Sequence, residues 1–444
     1  MLAKLATVLF VLILRSSAVP LPRFDEENST SVHVVLLAGG PATESGNMAM
    51  NTDIAHAYHM LRDHGVPADN IIVFLNDDLT NSTEMNPFPG QLYGDVNKSR
   101  NWREGVPVDY TSDDINANNY AAVLSGEADQ LKLISGGSGR VLKSGPNDRV
   151  FVYVSSHGAP GIILTNADVM TRKQLHQTFD RMLEKKMFKE LLFYLDTCYS
   201  GSMFSEDMER FTNIYASTAA NPHESSYSGG SITANVNGTY ITVLLYGEFG
   251  LALFNDVLQS DLKNQSISEQ VEIIRKNVPG SHVQHYGNNS VGEEAAGHFE
   301  GSETPSPAFD DISIVEPTDG YKRSRPYELL ESRLSQIDAD SEEADQLREK
   351  ITESKRKEAN VKKMAAKIVG KIVGRKVSNS FLSLSSPRIT NNDCHHEVAT
   401  TIFNFCPEVK TTPFFGELLK PLIHLCERGV SSEKLVNAIK TECY

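Results

Sequence analysis

The sequence predicts an α/β domain built on a mainly parallel sheet flanked by helices, followed by an all-α, disulfide-bonded C-terminal domain. Two apolar runs, 150–154 and 191–195, have the β-branched and aromatic composition of buried strands, and each ends in a polar turn that contains glycine. The segment between them, 170–187, has the spacing and charge of a helix. A strand–helix–strand unit makes its two strands parallel, so both carboxyl ends are expected at one edge of the sheet.

The two turns at that edge carry His157 and Cys198. A thiol within reach of an imidazole is the minimum apparatus for a cysteine nucleophile, because the imidazole lowers the thiol pKa and returns the proton to the leaving group. A lone cysteine is often only a buried, inert side chain. The position of Cys198 in a turn, shortly before Gly201, favours the reactive alternative.

The remaining elements of the α/β domain follow from the same patterns. Apolar runs predict strands at 32–37, 71–75, 121–126 and 212–219, and apolar periodicity predicts helices at 52–64 and 240–258. The polar stretch 76–110 is expected to form a long surface excursion. Strands that alternate with helices indicate a sheet covered on both faces, in a domain that spans 19–300.

Composition and targeting signals place the chain in the secretory pathway. A net charge of −15 gives no support to nucleic-acid binding. Residues 1–18 contain Lys4, an apolar run and small residues, a pattern that predicts a secretory signal too short to span a membrane. Six glycosylation sequons agree with that compartment: Asn28, Asn81, Asn97, Asn237, Asn264 and Asn288. No phosphate-binding or metal-binding motif is found, so no cofactor is expected.

The last part of the chain differs in composition from the α/β domain. Residues 301–325 are rich in Ser, Pro, Asp and Glu, which predicts an exposed, protease-sensitive linker. A basic helical segment at 326–376 and a helical domain at 377–444 follow. This domain contains four cysteines: Cys394, Cys406, Cys426 and Cys443. Their even number predicts two disulfides, but the sequence does not decide among the three possible pairings.

A run of basic residues lies between Lys355 and Lys376, whereas the first 320 residues are strongly acidic. Such a run is often only a solvated helix face. The alternative is a clamp across the acidic face of the α/β domain. A clamp of that kind would loosen in an acidic compartment, because carboxylates lose their charge as the pH approaches their pKa.

Several motifs resemble the legumain family, the asparaginyl endopeptidases of the caspase-like clan of cysteine peptidases. The sequence His157-Gly158 with Cys198-Tyr199-Ser200-Gly201 would also fit caspases, metacaspases or the transamidase that attaches lipid anchors. The run 218–227 and the four-cysteine tail narrow the resemblance to legumains. Further matching stretches are 105–111, 122–124, 142–146 and 282–287.

The resemblance implies a caspase-like fold, with Cys198 as nucleophile and His157 as general base and acid. The backbone N–H groups of Gly158 and Cys198 would form the oxyanion hole. It also implies a zymogen whose own C-terminal pro-domain inhibits it until cleavage in acidic endolysosomes. The expected protein is lysosomal or secreted, with cystatin-type inhibitors as partners. By family pattern, the disulfides would join Cys394 to Cys426 and Cys406 to Cys443.

The substrate pocket departs from the family pattern. Legumains surround the asparagine before the scissile bond with an Asn and an Arg-His pair in the loop after the first strand, a Glu two residues before the nucleophile, and a later Asp. Here the loop 39–50 contains Asn47 but no Arg or His, Asp196 replaces the Glu, and 228–230 is followed by no nearby Asp. Asn47, Asp196 and Ser217 are the candidates for contact with the substrate side chain.

We therefore expect a cysteine endopeptidase that cleaves protein and peptide substrates after Asn or Asp, with an atypical pocket. No Asn occurs from 304 to 359, so Asp338 and Asp340 are the candidate processing sites. Two alternatives stay open. One is a catalytically weak homologue that serves binding or inhibition, and the other is a peptide ligase in which an amine replaces water.

Overall fold

The computed structural model describes residues 30–40, 44–302, 320–374, 379–382, 384–410 and 412–443. The expected signal at 1–18, the sequon at Asn28 and most of the expected linker lie outside the described residues. Within the described part of the chain, no helix is both long and apolar enough to cross a membrane.

Twelve strands are found in the described residues. They are β1 (Val32–Ala38), β2 (Ile71–Phe74), β3 (Arg149–Ser155), β4 (Gly158–Ala159), β5 (Ile162–Leu164), β6 (Val169–Thr171), β7 (Glu190–Asp196), β8 (Ile214–Thr218), β9 (Tyr227–Val236), β10 (Thr239–Gly247), β11 (Gln284–Gly287) and β12 (Tyr321–Lys322). The central sheet has the order β11-β8-β7-β3-β1-β2, and only the edge strand β11 is antiparallel to its neighbour. The mainly parallel sheet is thus confirmed.

The helices lie on both faces of this sheet and in the C-terminal tail, which we define as residues 326–444. They are α1 (Met48–Asp63), α2 (Asp77–Asn81), α3 (Ala117–Leu124), α4 (Arg172–Glu184), α5 (Glu248–Gln259), α6 (Ile267–Asn277), α7 (Asn289–Gly292), α8 (Gly297–Glu300), α9 (Tyr327–Leu334), α10 (Glu342–Val373), α11 (Asn379–Leu382), α12 (Asn392–Phe405), α13 (Pro407–Lys410), α14 (Phe415–Glu427) and α15 (Ser432–Glu442). Alternate residues of β1 face opposite layers, as a pleated strand requires: Val34 and Leu36 pack with α1 and α5, and Val35 and Leu37 pack with α3 and α4.

Two of the expected elements are wrong. The run 121–126 is the end of helix α3, not a strand, because Asn116 caps the segment by accepting a hydrogen bond of 2.9 Å from the N–H of Asn119. The expected helix at 240–258 is divided into strand β10 and helix α5. Its first half carries residues such as Ile241 and Val243, which pair in an antiparallel hairpin with β9, so the β-branched composition prevails over the helical spacing.

The tail is all-helical and disulfide-bonded, as expected. Cys394 is joined to Cys426 and Cys406 to Cys443, which is the pairing that the resemblance implies. The helices α10, α12 and α14 share one apolar cluster with the small sheet β4–β6. The tail therefore packs directly on the segment that follows His157.

The basic run in the tail has mostly local partners. Lys355 pairs with Glu331, Arg356 with Glu353, Lys362 with Glu358 and Lys371 with Glu442, all within the tail itself. Among the described residues of the run, Lys357 differs, because its charge acts on Glu44 of the α/β domain. The contacts thus favour the solvated helix face over a clamp made by the whole run.

The expected exposed linker is wrong for its last described residues. Tyr321 and Lys322 form β12, which pairs antiparallel with β9, and the side chain of Arg323 is buried, with 4% exposure. Local composition predicts exposure because an unpaired guanidinium is costly to bury. Here buried carboxyl groups of the α/β domain, far away in sequence, compensate its charge. We call residues 320–325 the inserted segment.

Most of the described sequon residues are accessible to an oligosaccharide. Asn81, Asn97, Asn237 and Asn264 are exposed, and Asn237 lies in the turn between β9 and β10. Asn288 is half-buried, and its amide donates a hydrogen bond to the carbonyl of Thr212. The first four are therefore the better candidates for glycosylation.

A buried carboxyl group in the core gives a testable pH dependence of stability. Burial raises the pKa of Glu300 to about 8, and Gln270 donates a hydrogen bond of 3.0 Å to its carboxyl group. Because this pKa lies above the unfolded value of 4.5, the stabilisation is fully present below that value and is lost as the pH rises through about 8.

We expect Glu300→Gln, which cannot ionise, to remove this dependence. The unfolding free energy of the variant relative to the wild type should rise by about 2–4 kcal/mol between acidic and mildly alkaline pH. Denaturant unfolding at both pH values measures the difference, with the exposed Glu293→Gln as control. A relative stability that does not change with pH would contradict the prediction.

Candidate active site

The predicted dyad residues lie at the same edge of the central sheet. Strands β3 and β7 are parallel neighbours in which Ser155 is paired with Asp196. His157 and Cys198 each follow two residues after this pair, at the carboxyl ends of their strands. Both side chains are buried. The strand–helix–strand argument from sequence therefore places these two residues correctly.

Asn47 orients the imidazole of His157. The Oδ1 atom of Asn47 lies 2.7 Å from Nε2 of His157. An amide oxygen only accepts hydrogen bonds, so Nε2 carries the hydrogen and Nδ1 presents the lone pair that accepts a proton. The sequence predicts Asn47 in the substrate pocket, and the structure places it both against the imidazole and in the lining of the adjoining cavity.

A glycine allows the two turns to approach each other. A Cβ atom at Gly158 would overlap the carbonyl oxygen of Cys198 and crowd the side chain of Thr197. The backbone after His157 consequently passes directly over the backbone of Cys198. This close approach is compatible with the expected pair of N–H donors from Gly158 and Cys198.

In this structure, both the imidazole of His157 and the thiol of Cys198 are held in their neutral forms. Burial lowers the pKa of His157 to about 3, and the charge of Arg323 acts in the same direction. Burial also raises the pKa of the Cys198 thiol, although Arg323 and hydrogen bonds from Ser226 oppose the rise. Removal of the inserted segment and the tail would therefore favour the thiolate–imidazolium pair by readmitting water.

A pocket beside the dyad holds the guanidinium of Arg323. Its Nη2 atom lies 2.8 Å from Oδ2 of Asp196 and 3.7 Å from Oδ2 of Asp53. Its Nη1 atom donates to the carbonyl oxygens of Asp196 at 2.7 Å and Ser156 at 3.3 Å. Its Nε atom donates to Oγ of Ser228 at 2.8 Å. Asp196, which the sequence predicts to contact the substrate side chain, thus contacts Arg323 in this structure.

The acidic pair in this pocket is built by several elements. Asp53 lies on α1, where it accepts a hydrogen bond of 2.8 Å from Ser155 and another of 3.0 Å from the N–H of Gly247. Burial raises the pKa of Asp53 to about 8, and the neighbouring Asp196 adds to the rise. Burial raises the pKa of Asp196 as well, against the opposing effect of Arg323.

The sequence analysis identified some pocket residues and missed others. Ser217 lies on the neighbouring strand β8, where its Oγ donates to the carbonyl of Gln284 at 3.2 Å, away from Arg323. Asp53 and Arg323 were missed. The sequence contained a signal for each of them. Asp53 is a carboxylate on the core-facing side of an apolar helix, and Arg323 belongs to a basic pair, Lys322-Arg323, in an acidic linker.

A cavity of about 430 Å³ extends from His157 between the α/β domain, the inserted segment and the tail. Burial within it raises the pKa of Glu44 to about 7, although Lys357 opposes the shift. In the described part of the chain, no group of three or more His, Cys, Asp or Glu side chains is placed to hold a metal ion. The cavity is lined by both domains, including Glu44, Asn47, His157, Arg323, Lys357 and Phe414.

A thiol and an oriented imidazole at the carboxyl edge of a parallel sheet define a cysteine-type peptidase, and comparison with known proteins agrees. Residues 32–302 match the model of the Peptidase C13 family. The chain belongs to this family and is a cysteine-type endopeptidase.

Curated relatives cover almost the whole chain and confirm the resemblance to legumains. Legumain of Mus musculus is 31% identical over 446 residues, which cover 98% of each chain. Legumain of Bos taurus is 30% identical over 441 residues, with 99% of this chain and 98% of the relative covered. The vacuolar-processing enzyme delta-isozyme of Arabidopsis thaliana is 28% identical over 445 residues, with 92% and 89% covered.

Proposed function

We propose that the protein is a cysteine endopeptidase made as a zymogen, in which Cys198 is the nucleophile, His157 is the general base and acid, and the C-terminal tail is an inhibitory pro-domain. The observation that carries the proposal is the oriented His157 beside a thiol that the inserted segment and the tail cover. Protein and peptide substrates and, by family resemblance, cystatin-type inhibitors are the expected partners. The secretory pathway, with lysosomes or the extracellular space, is the expected location.

The reaction proceeds through a thioester. Nδ1 of His157 accepts the thiol proton of Cys198, and the thiolate attacks the carbonyl carbon of the scissile bond. The N–H groups of Gly158 and Cys198 stabilise the oxyanion, and the imidazolium protonates the leaving amine as the C–N bond breaks. Water, deprotonated by His157, then hydrolyses the thioester and restores the thiol. Asn47 is a positioning residue that keeps Nδ1 available throughout.

Contacts of the tail with the start of α4 and with the small sheet after His157 support the inhibitory role. Arg172 is fully buried, and its Nη1 atom donates to the carbonyl of Ile389 at 2.7 Å. Lys173 forms an ion pair of 2.7 Å with Asp393. The shared apolar cluster adds burial that ion pairs alone would not supply. These contacts hold the tail against the region that follows His157, which supports the proposed inhibition.

Processing sites in the tail require access by a second molecule. Asp338 and Asp340 are exposed in the turn that precedes α10. Cleavage there would separate α10 and the disulfide-bonded helices from the α/β domain. These two residues therefore stay candidates for activation by another peptidase molecule.

The proposal is tested with the purified full chain and its Cys198→Ala variant, incubated between about pH 4 and about pH 7. We expect tail release and turnover of a mixed peptide library at acidic pH by the wild type only. If the wild type turns over no peptide even after its tail has been removed, the protein is a binding or inhibitory homologue. Joining of an added peptide amine instead of hydrolysis would identify the ligase.

A further inference from the structure

The inserted segment lies against the active site in the manner of a bound peptide. Strand β12 pairs antiparallel with the start of β9, with Tyr321 opposite Ser228 and Lys322 opposite Tyr227. The N–H of Arg323 donates to the carbonyl of Ser226 at 3.2 Å. The backbone is thus fixed by main-chain hydrogen bonds up to Arg323, as in recognition of a peptide by strand addition.

The two residues that flank the peptide bond after Arg323 contact residues that lie close to the nucleophile. The carbonyl oxygen of Ser226 that accepts from Arg323 also lies 3.9 Å from Sγ of Cys198. On the other side of this bond, Oγ of Ser324 lies 2.6 Å from Oγ of Ser225. Residues 323 and 324 are therefore held by Ser226 and Ser225, and Ser226 is also the residue that contacts the thiol.

The pocket fits a guanidinium in both charge and direction. Each of the three guanidinium nitrogens of Arg323 has a hydrogen-bond acceptor within 2.8 Å, supplied by the carboxylate and carbonyl of Asp196 and the hydroxyl of Ser228. An ammonium group carries its donors on one nitrogen and cannot reach acceptors arranged around a planar fork. The geometry consequently distinguishes arginine from lysine as well as from uncharged residues.

The same pocket suits Asn and Asp poorly. An aspartate would meet the like charge of Asp196, and an asparagine is too short and has too few donors to satisfy the acceptors that surround Arg323. Gly247 forms a wall of the pocket, where a Cβ atom would overlap Nη2 of Arg323 and Oδ2 of Asp196. The absence of a side chain at this position leaves the depth that a long basic residue requires.

We propose that this endopeptidase selects arginine before the scissile bond, and that it processes its own chain between Arg323 and Ser324. The inference rests on the proposed function and names its substrate class. In the self-processing step, the Cys198 thiolate adds to the carbonyl carbon of Arg323 and the bond to the nitrogen of Ser324 breaks. His157 supplies the proton to the new amino terminus, and water releases the Arg323 carboxylate from the thioester.

Peptide substrates test the selectivity. The activated wild type is assayed with peptides that contain Tyr-Lys-Arg-Ser and with matched peptides that have Lys, Asn or Asp in place of Arg. We expect kcat/KM for Arg to exceed that for Asn and Asp by about 100-fold or more, and that for Lys by about 10-fold. Preference for Asn or Asp would overturn the inference and leave the peptidase intact, whereas cleavage of no peptide would refute the proposed function.

A variant of Asp196 tests whether this pocket causes the selectivity for arginine. Asp196→Asn should raise KM for the arginyl peptide by about 100-fold. The control Asp180→Asn removes a surface carboxylate that pairs with Arg210 and should change nothing. Alkylation of Cys198 counts the active sites in each preparation. If Asp196→Asn does not fold, inhibition of the wild type by arginine amide, but not by asparagine amide, tests the same pocket. An equal effect of both amides would overturn the assignment.

Self-processing is tested by mass spectrometry of the fragments. Arg323→Gln should abolish the new carboxyl terminus at residue 323, while the matched Arg325→Gln, two residues away and exposed, should retain it. The Cys198→Ala precursor should stay intact when it is incubated alone. Cleavage of Cys198→Ala alone at the wild-type rate would assign the cut to another protease and overturn self-processing.

Discussion

Replacing His157 with alanine is expected to lower kcat/KM for the best peptide substrate by about 10²–10⁴-fold. The imidazole both removes the thiol proton and protonates the leaving amine, so the variant loses the catalyst of both proton transfers. Steady-state kinetics with active-site counting by alkylation measure the loss. His298→Ala, on α8 and paired with Glu294 at 2.7 Å, is the control and should retain full activity.

Asn47 offers a more specific test of the same dyad. Asn47→Ala removes the acceptor at Nε2 of His157 and should reduce kcat by about 10-fold. Asn47→Asp keeps the acceptor and adds a negative charge, which raises the pKa of His157 and should move the acidic limb of the pH–rate profile to higher pH. A purely structural role for Asn47 would leave that profile in place. Full activity of His157→Ala would contradict the assignment of the general base.

The position of the dyad could be predicted because it depends on local patterns and one topological rule. The apolar runs before His157 and Cys198 are each buried throughout, and the helix between them fixes the parallel pairing. The periodicity of apolar residues is enough to predict such strands and helices, since tertiary contacts only reinforce the structure that each segment favours by itself. The disulfides followed from family resemblance, not from spacing.

The substrate pocket could not be predicted because it joins residues that are distant in sequence. Asp53, Asp196 and Arg323 meet only after α1, β7 and the inserted segment have packed together. Each of them contradicts its local rule, as a carboxylate on an apolar helix face or a guanidinium in an exposed linker. Such contradictions are typical of functional sites, where burial of charge is compensated across the fold.

The misassigned segment at 240–258 has a related cause. Its apolar residues satisfy helical spacing, but the hairpin between β9 and β10 provides cross-strand partners that local reasoning does not contain. This hairpin carries the proposed substrate-binding edge, because β9 supplies the edge on which β12 pairs and the end of β10 supplies Gly247. The error in secondary structure therefore concealed the peptide-binding edge as well.

Acidification is expected to weaken docking of the tail through His395. This side chain is fully buried at the boundary between the tail and the α/β domain, and its Nε2 atom lies 2.9 Å from the carbonyl of Pro160. Burial lowers its pKa to about 4, with Arg172 and His396 acting in the same direction and Glu427 in the opposite one. A released tail would return the imidazole to its ordinary value of 6.5. The released form thus binds more protons between these two pH values, and docking is lost as the pH falls through them.

The contribution of His395 to the pH dependence of docking is large enough to be measured, although other groups at the boundary titrate as well. A shift from 6.5 to about 4 corresponds to about 3 kcal/mol, or somewhat more than 100-fold in the docking equilibrium. His395→Gln keeps a donor for Pro160 but cannot titrate, so tail release at about pH 5 should slow by about 10-fold and require a lower pH. The control His424→Gln alters a histidine whose recorded hydrogen bond, to Ser385, lies within the tail. If His395→Gln follows the wild-type pH profile, carboxylates alone drive the release, and the buried histidine serves only packing.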